Sequence, residues 1–380
     1  MTSRDRVLAA AERRQADRVP VELGSTVNAG IARQAHRNLL ALLGMKPGPE
    51  IDDILVFGTI RPDPHLLDLF GVDFTPVQLR DKPGTFVALD DERFRDDFGR
   101  VWKRTALYYD IVENPLKEPD LGALERINWP DPADPAELDG LREDVAAFRA
   151  QTDKAIVARC FSGGLSDIVY SLRGMGNFLT DLFLNSVFAE ALLERAEEWF
   201  TAKCAAYMDA VGDFVDLFEY GNDYGTQRGL VMAPDLYRNH FKPRETRIFE
   251  AIKSRSRAKI FYHSCGGIFD IIGDLIDCGG DILNPLQPNA EGMDPEHIVA
   301  EFGKDISFCG GIDVQQLLPY GTPQQIRDET RRVASIYNRH GGYILAASHC
   351  IQADVPPKNV LAMFTALGQA PMCAEPAGKS

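Results

Sequence analysis

Residues 259–287 read KIFYHSCGGIFDIIGDLIDCGGDILNPLQ, and this stretch sets the architecture. An apolar run over 259–265 has strand character, two glycines turn the chain, 268–277 carries helical spacing, and DILNPLQ (281–287) reads as the next strand. Strand, helix and strand in so short a span form a βαβ unit with parallel strands and a right-handed crossover. Residues i and i+2 of a strand share a face, so His263 and Cys265 project together. An imidazole and a thiolate on one face make half of a zinc site.

The same rhythm extends in both directions. AIVARCF (155–161) precedes helical stretches at 179–184 and 188–208, and VDLFEYG (215–221) precedes a helical 234–254. Beyond the opening stretch come a helical 294–302, ISFCGGI (306–312), a helical 322–340 and GYILAASH (342–349). These six strand-helix units, with strand-like segments at 18–23 and 72–79, total eight. The pattern predicts an α/β protein, a (β/α)8 TIM barrel with an N-terminal elaboration, although a doubly wound open sheet shares it. Helices are expected over 4–16 and 30–43, and a hairpin over 96–104. No Ser/Gly-rich linker marks a boundary, so 1–380 reads as one domain, with 30–150 an irregular insertion and 154–367 the regular β/α units.

Composition narrows the function. The 380 residues carry a net charge of −15, with 45% hydrophobic and 26% charged residues. Such a chain lacks the basic footprint that nucleic acid or an anionic membrane surface requires. No run approaches the length of a transmembrane helix, and the charged N-terminal stretch has no signal-peptide apolar region. The seven cysteines are scattered and odd in number, which favours a reduced, cytoplasmic chain with free thiols or metal ligands. The assembly leaves room for a homodimer.

In a barrel the residues just past each strand gather at one mouth. Here those positions hold Glu219, Asn222 and Asp223; His263 and Cys265; Asn284 and Gln287; Asp313; and His349 with Cys350. Cys350 ends the last strand, so barrel closure brings it back towards His263 and Cys265. Two thiolates and one imidazole with an open fourth position are a ligand set for catalytic zinc. Thiolate-rich zinc is a poor generator of hydroxide, but it suits holding a thiol as thiolate or polarising an ether or amine. Both routes point to methyl transfer ahead of hydrolysis. Asp223 and Asp313 are the expected catalytic carboxylates, though either could instead cap the following helix. Glu219, Asn222, Gln227, Asn284, Gln287 and His349 are expected to bind substrate. By alternation, His349 faces away from Cys350. Arg228 reads as a surface cation. Cys160, Cys204, Cys278, Cys309 and Cys373 lack ligand spacing and read as structural.

Longer segments carry a family resemblance. HSCGGIFDIIGDLIDCGGDILNPLQPNAEGMDP, FCGGIDVQQLLPYGTP and GGYILAASHCIQADVPPKNVLAMF resemble the uroporphyrinogen decarboxylase superfamily. TSRDRVLAAAERRQADRVPVELG and GNDYGTQRGLVMAPDLYRNHFKPR resemble its zinc- and corrinoid-dependent methyltransferase-like branch. The resemblance implies a (β/α)8 barrel. True decarboxylases of this family carry an N-terminal M-R-Q-A-G-R signature that holds substrate carboxylates, whereas this chain has VELGSTVNAG (21–30) with no arginine cluster. The methyltransferase branch holds zinc through H-x-C and a distant Cys, and His263, Cys265 and Cys350 match that pattern. Zinc methyltransferases of similar arrangement place a Glu ligand where this chain has Gln287. The resemblance therefore implies methyl transfer between a small methylated donor and a corrinoid (cobalamin), protein-bound or free, or a related acceptor such as tetrahydrofolate. No D-x-H-x-x-G cobalamin-binding segment is present, so a corrinoid protein would be a separate partner. The competing expectations are a metal-free decarboxylase and a non-catalytic corrinoid or tetrapyrrole carrier.

Overall fold

The computed structural model describes residues 1–105, 108–161 and 163–368; Cys373 lies outside them. Seven parallel strands form one curled sheet. In chain order they are Phe74–Val77, Ala155–Ala158, Leu217–Gly221, Lys259–His263, Ile282–Asn284, Ser307–Cys309 and Tyr343–Ile344, and each pairs with the next. The eighth position belongs to residues 20–23. Val21 bridges Leu345 in parallel, and the Leu345 amide donates to the Pro20 carbonyl at 2.8 Å. On the other side the Asp73 amide donates to the Val21 carbonyl at 3.0 Å. The first strand expected from the sequence is thus one bridge long, yet it is bonded on both flanks, and the (β/α)8 reading holds.

Strand parity sorts the barrel lining. Phe74, Ala155, Val157, Leu217, Phe261, Ile282, Cys309, Ile344 and Ala346 form a buried inner cluster. Val7, Ala10 and Ala11 belong to it too, from the N-terminal helix Ser3–Ala11. That helix is started by a capping box between Thr2 and Asp5 and plugs the bottom of the barrel; the Ser307 hydroxyl donates to the Ala10 carbonyl at 2.8 Å. It stops at Ala11, short of the expected 16, because Arg13 takes a left-handed φ of 55°. A larger core lies between the sheet and the surrounding helices, among them Ser186–Val211, Lys242–Lys253 and Pro323–Tyr337.

Two residues further along each strand, the lining turns from apolar to polar. Arg159, Glu219, His263 and Asn284 follow Val157, Leu217, Phe261 and Ile282 on the same face. One pleat therefore separates the plug from the chemistry.

The 30–150 region is more regular than the sequence suggested. It holds the helix Arg33–Leu42 and a four-stranded antiparallel sheet of Phe86–Ala88, Arg93–Asp96, Val101–Arg104 and Tyr109–Glu113. The expected hairpin is its centre. Among the described residues no helix is long and apolar enough to cross a membrane.

Candidate metal centre

His263 is the last residue of its strand and is buried. Its Nδ1 pairs with Asn284 Oδ1 at 2.7 Å, and the Asn284 amide nitrogen donates to the Cys309 carbonyl at 3.3 Å. Because that amide must donate to Cys309, its oxygen faces the ring and accepts from Nδ1–H. The tautomer so fixed leaves the Nε2 lone pair free, the usual support for a metal-bound histidine.

Cys265 follows by two residues, and its Sγ lies 3.4 Å from His263 Nε2. The turn that aims it depends on Gly266, which sits at φ +83°. A Cβ there would lie 2.3 Å from the Gly225 carbonyl carbon, so only glycine fits. Gln287 holds the turn by accepting from the Gly266 amide at 2.7 Å. Asp223 Oδ1 accepts from the Cys265 amide at 3.0 Å and stands 3.6 Å from His263 Nε2, with its side chain 53% exposed.

The third donor comes from the closing segment. One donor atom each from His263, Cys265 and His349 lies within 4.8 Å of the other two. The His349 ring packs edge-on to His263 with centroids 6.0 Å apart, and Phe57 packs edge-on to His349 at 5.9 Å. Burial, and then the neighbouring His263, lower the His349 pKa to about 4, so the ring is neutral as a ligand must be. Burial and the adjacent Asp223 carboxylate push the Cys265 thiol well up. A bound cation reverses that logic, because a coordinating thiol is deprotonated outright.

Cys350 stands apart from this cluster. It is buried, its thiol donates to the Val27 carbonyl at 3.6 Å, and burial pushes its pKa up to about 12. Alternation put it on the inner face, but the ladder has thinned by then: the last strand stops at Ile344, and single bridges follow from Leu345 to Val21, from Ala347 to Ile312 and from Ile351 to Ile31. Beyond Ser348, backbone pairing passes to the N-terminal segment. The Ile351 amide donates to the Gly30 carbonyl at 2.9 Å, and the Ala32 amide to the Ile351 carbonyl at 2.8 Å.

The other expected site residues divide in the same way. Asp313 accepts from the amides of Gln315, Gln316 and Leu317 at 2.8–2.9 Å and so caps the turn that follows it. Glu219 is 1% exposed, with Oε1 accepting from the Val27 amide at 2.7 Å and Oε2 from the Cys160 amide at 3.3 Å. It fastens the N-terminal loop to the neighbouring strand. Gln227 is exposed on the two-residue-strand hairpin Gly225–Leu230.

Asn222 is fully buried and serves a deeper network. It donates to Glu245, which also accepts from the hydroxyls of Tyr220 (3.2 Å), Tyr224 (3.0 Å), Tyr237 (2.8 Å) and Tyr262 (3.0 Å). The Asn222 oxygen accepts from the Ser166 amide at 2.9 Å. One buried carboxylate thereby ties together the two strand ends that carry Asp223 and His263.

Sequence reasoning missed Asp167. It sits in the first turn of the helix Leu165–Arg173 and accepts from the Asp223 amide. Burial, and then the Asp223 charge, raise its pKa. The signal was available, because Asp167 follows a strand and the glycines Gly163 and Gly164, the same context that singled out Asp313. Tyr108 also joins the mouth: it is half-buried, packs edge-on to Phe57 at 5.9 Å, and is raised in pKa by burial and then by Cys350.

With this geometry established, the chain compares as follows. Residues 111–369 match the model of the uroporphyrinogen decarboxylase (URO-D) family. The uroporphyrinogen decarboxylase of Chlorobium limicola is 24% identical over 178 residues, covering 45% of this chain and 46% of that protein. That of Chlorobaculum tepidum is 24% identical over 175 residues, with the same coverage. The chain thus spans about half the length of the curated relatives it matches. A methyltransferase from Methanosarcina mazei has a similar fold, with a TM-score of 0.64 at 19% identity, covering 97% of this chain and 99% of that one.

Proposed function

The chain belongs to the uroporphyrinogen decarboxylase family, and on that premise we propose that it is a zinc-dependent methyltransferase and not a decarboxylase. The observation that carries the reading is the convergence of His263 Nε2, Cys265 Sγ and a His349 ring nitrogen at the mouth of the barrel. The donor chemistry fits zinc, which takes imidazole nitrogen and thiolate sulfur and keeps one position open in catalytic sites. When bound there, zinc supplies Lewis acidity towards the heteroatom of a methyl donor, or holds a thiol as its thiolate.

The protein's own groups would do the rest. Asn284 keeps the His263 ring oriented. Asp223, half exposed beside both His263 and Cys265, is placed to take up or orient a proton. Asp167 sits behind it, bonded to its amide. Phe57 and Tyr108 cover the side next to His349. The methyl group would pass between a small methylated compound and a corrinoid, carried by a separate protein or free, or a related acceptor such as tetrahydrofolate. The decarboxylase reading is disfavoured by the 21–30 segment, where no arginine stands to hold substrate carboxylates.

Elemental analysis of the purified protein, together with methylation of reduced cobalamin by a panel of methyl ethers, methylamines and methyl thioethers, tests the proposal. About one zinc per chain and a Cys265→Ser variant deficient in both metal and transfer are expected. Full metal content and activity in Cys265→Ser would overturn it.

A further inference from the structure

We propose that the corner between the helices Met175–Leu184 and Ser186–Val211 is the face on which a second copy of this chain docks. That surface holds none of the residues assigned to the metal centre.

Sequence and packing single out this corner. Within Met175–Leu184, Phe178 and Leu182 stand four apart and are buried against the core. A helix with one such face ordinarily turns polar residues outwards. Here Met175 is 40% exposed, Phe183 70% and Leu184 76%, and Val187 in the first turn of the next helix is 74% exposed. Leu179, half-buried, lies one turn from both Met175 and Phe183 and joins them into one stripe. The helix is therefore apolar on two sides, and the second faces outwards.

The corner is also held rigidly. Arg173 and Asp181 are both buried and form an ion pair at 2.7 Å, and the Asn185 amide nitrogen donates to Asp181 at 2.8 Å. Arg173 donates further to the Leu116 carbonyl at 3.2 Å. A surface fixed before binding loses little freedom when it is covered.

Charge identifies the occupant. From Gly174 to Ala189, Asp181 is the one charged residue, in a chain that is 26% charged and carries −15 overall. Two copies of so acidic a molecule repel wherever their charged faces approach, and they meet without that cost only where both are neutral. A basic partner would gain nothing from an uncharged face, whereas a two-fold axis sets the same apolar patch against itself. The four exposed side chains leave on the order of 400 Å² of apolar surface open, within the range of patches that mark interaction sites. Pairing two copies covers about twice that. The exposed Asn177, Thr180 and Ser186 supply the polar rim of an interface of about 1,200–2,000 Å².

Sedimentation velocity on the wild-type chain, from about 1 to 100 µM, reads the assembly directly, and a dimer is expected in that range. Phe183→Glu and Leu184→Glu each place a carboxylate in the patch and should weaken association about 100-fold or more. Because both positions are exposed, the far-UV circular dichroism of these variants should not change. Tyr320→Glu, at a position 76% exposed on a different helix, should leave the dimer intact. A wild-type chain that stays monomeric throughout would overturn the inference, as would a dimer that persists in both patch variants. Co-sedimentation with phosphatidylcholine vesicles supplies the remaining arm. A monomer that binds them, and loses that binding in Phe183→Glu, would put a lipid surface in place of the second copy and overturn the proposal too.

Discussion

The mouth of this barrel has two halves built by different means. On one half, Leu217–Gly221, Lys259–His263 and Ile282–Asn284 are hydrogen-bonded strands, paired in unbroken register from Lys259↔Leu217 to His263↔Asn284. On the other, residues 20–32 and 343–351 meet through single bridges at Val21↔Leu345 and Ile31↔Ile351, beyond the two-residue strand Tyr343–Ile344. On the strand-built half, side-chain direction is dictated by the pleat, so a two-residue spacing in sequence is a statement about space. On the seam, loop bonding decides direction. His263 is the last residue of its strand and Cys265 lies two past it, so the pleat sets the histidine and the Gly266 turn the cysteine, whereas Cys350 is placed by loop bonding.

The largest effect that would break this comparison lies at His263. Replacing it with alanine removes one donor of the proposed centre. Binding free energies of about 10–16 kcal/mol shared among four zinc ligands suggest a loss of roughly 3–4 kcal/mol, or 10²–10³-fold in zinc affinity. Competition with a chromophoric chelator measures it. Cys265→Ala should match this loss. An affinity within tenfold of wild type in either variant would mean that the strand-built half does not hold the metal.

This division also accounts for what the sequence disclosed. The barrel was legible because each apolar strand is followed by helical spacing, and only one register puts Val157, Leu217, Phe261 and Ile282 inside. His263, Cys265 and Asp223 were legible as mouth residues for the same reason. What could not be read was where each ladder stops. Glu219 and Asn222 stand at the right positions, but their side chains satisfy backbone amides of other segments or a buried carboxylate, needs that arise only from the tertiary meeting of segments, whereas Asp313 makes the local cap that the sequence already allowed. The four tyrosines that converge on Glu245 come from residues 220, 224, 237 and 262, a spread with no sequence period. His349 was assigned to the outer side because alternation was extended one bond past its end.

A second effect, of about the same size, lies where the seam meets the strand-built half. Glu22 and Glu219 are each 1% exposed and each raised to about 7, first by burial and then against the opposing effect of backbone amides or Arg159. Carboxyls raised in the folded state bind protons that the unfolded chain releases near pH 4.5. Stability is therefore highest below that pH as far as this pair is concerned, and is lost as pH rises through about 7. A rise from 4.5 to about 7 corresponds to about 3 kcal/mol for each carboxyl. Urea unfolding at pH 5 and pH 8 should show that decline in the wild type and a clearly smaller one in Glu22→Gln. An unchanged pH dependence in the variant would remove Glu22 from the account.

The smallest effect sharpens the comparison, because it touches the strand-built half without removing a donor. Asn284 is 2% exposed and holds His263 through Nδ1 while bonding the Cys309 carbonyl on the next strand. Asn284→Leu keeps the volume and removes the orienting acceptor, so His263 can rotate or change tautomer. Loss of such an outer partner costs about 10–100-fold in metal affinity or activity, less than loss of the donor itself. Because Asn284 acts through the ring, the variant should shift the His263 NMR tautomer signature in the metal-free protein as well as weaken zinc binding. Weakened binding with an unchanged tautomer would mean that Asn284 supports the strand and not the ring. In that case, the order on the strand-built half would reach only as far as its backbone.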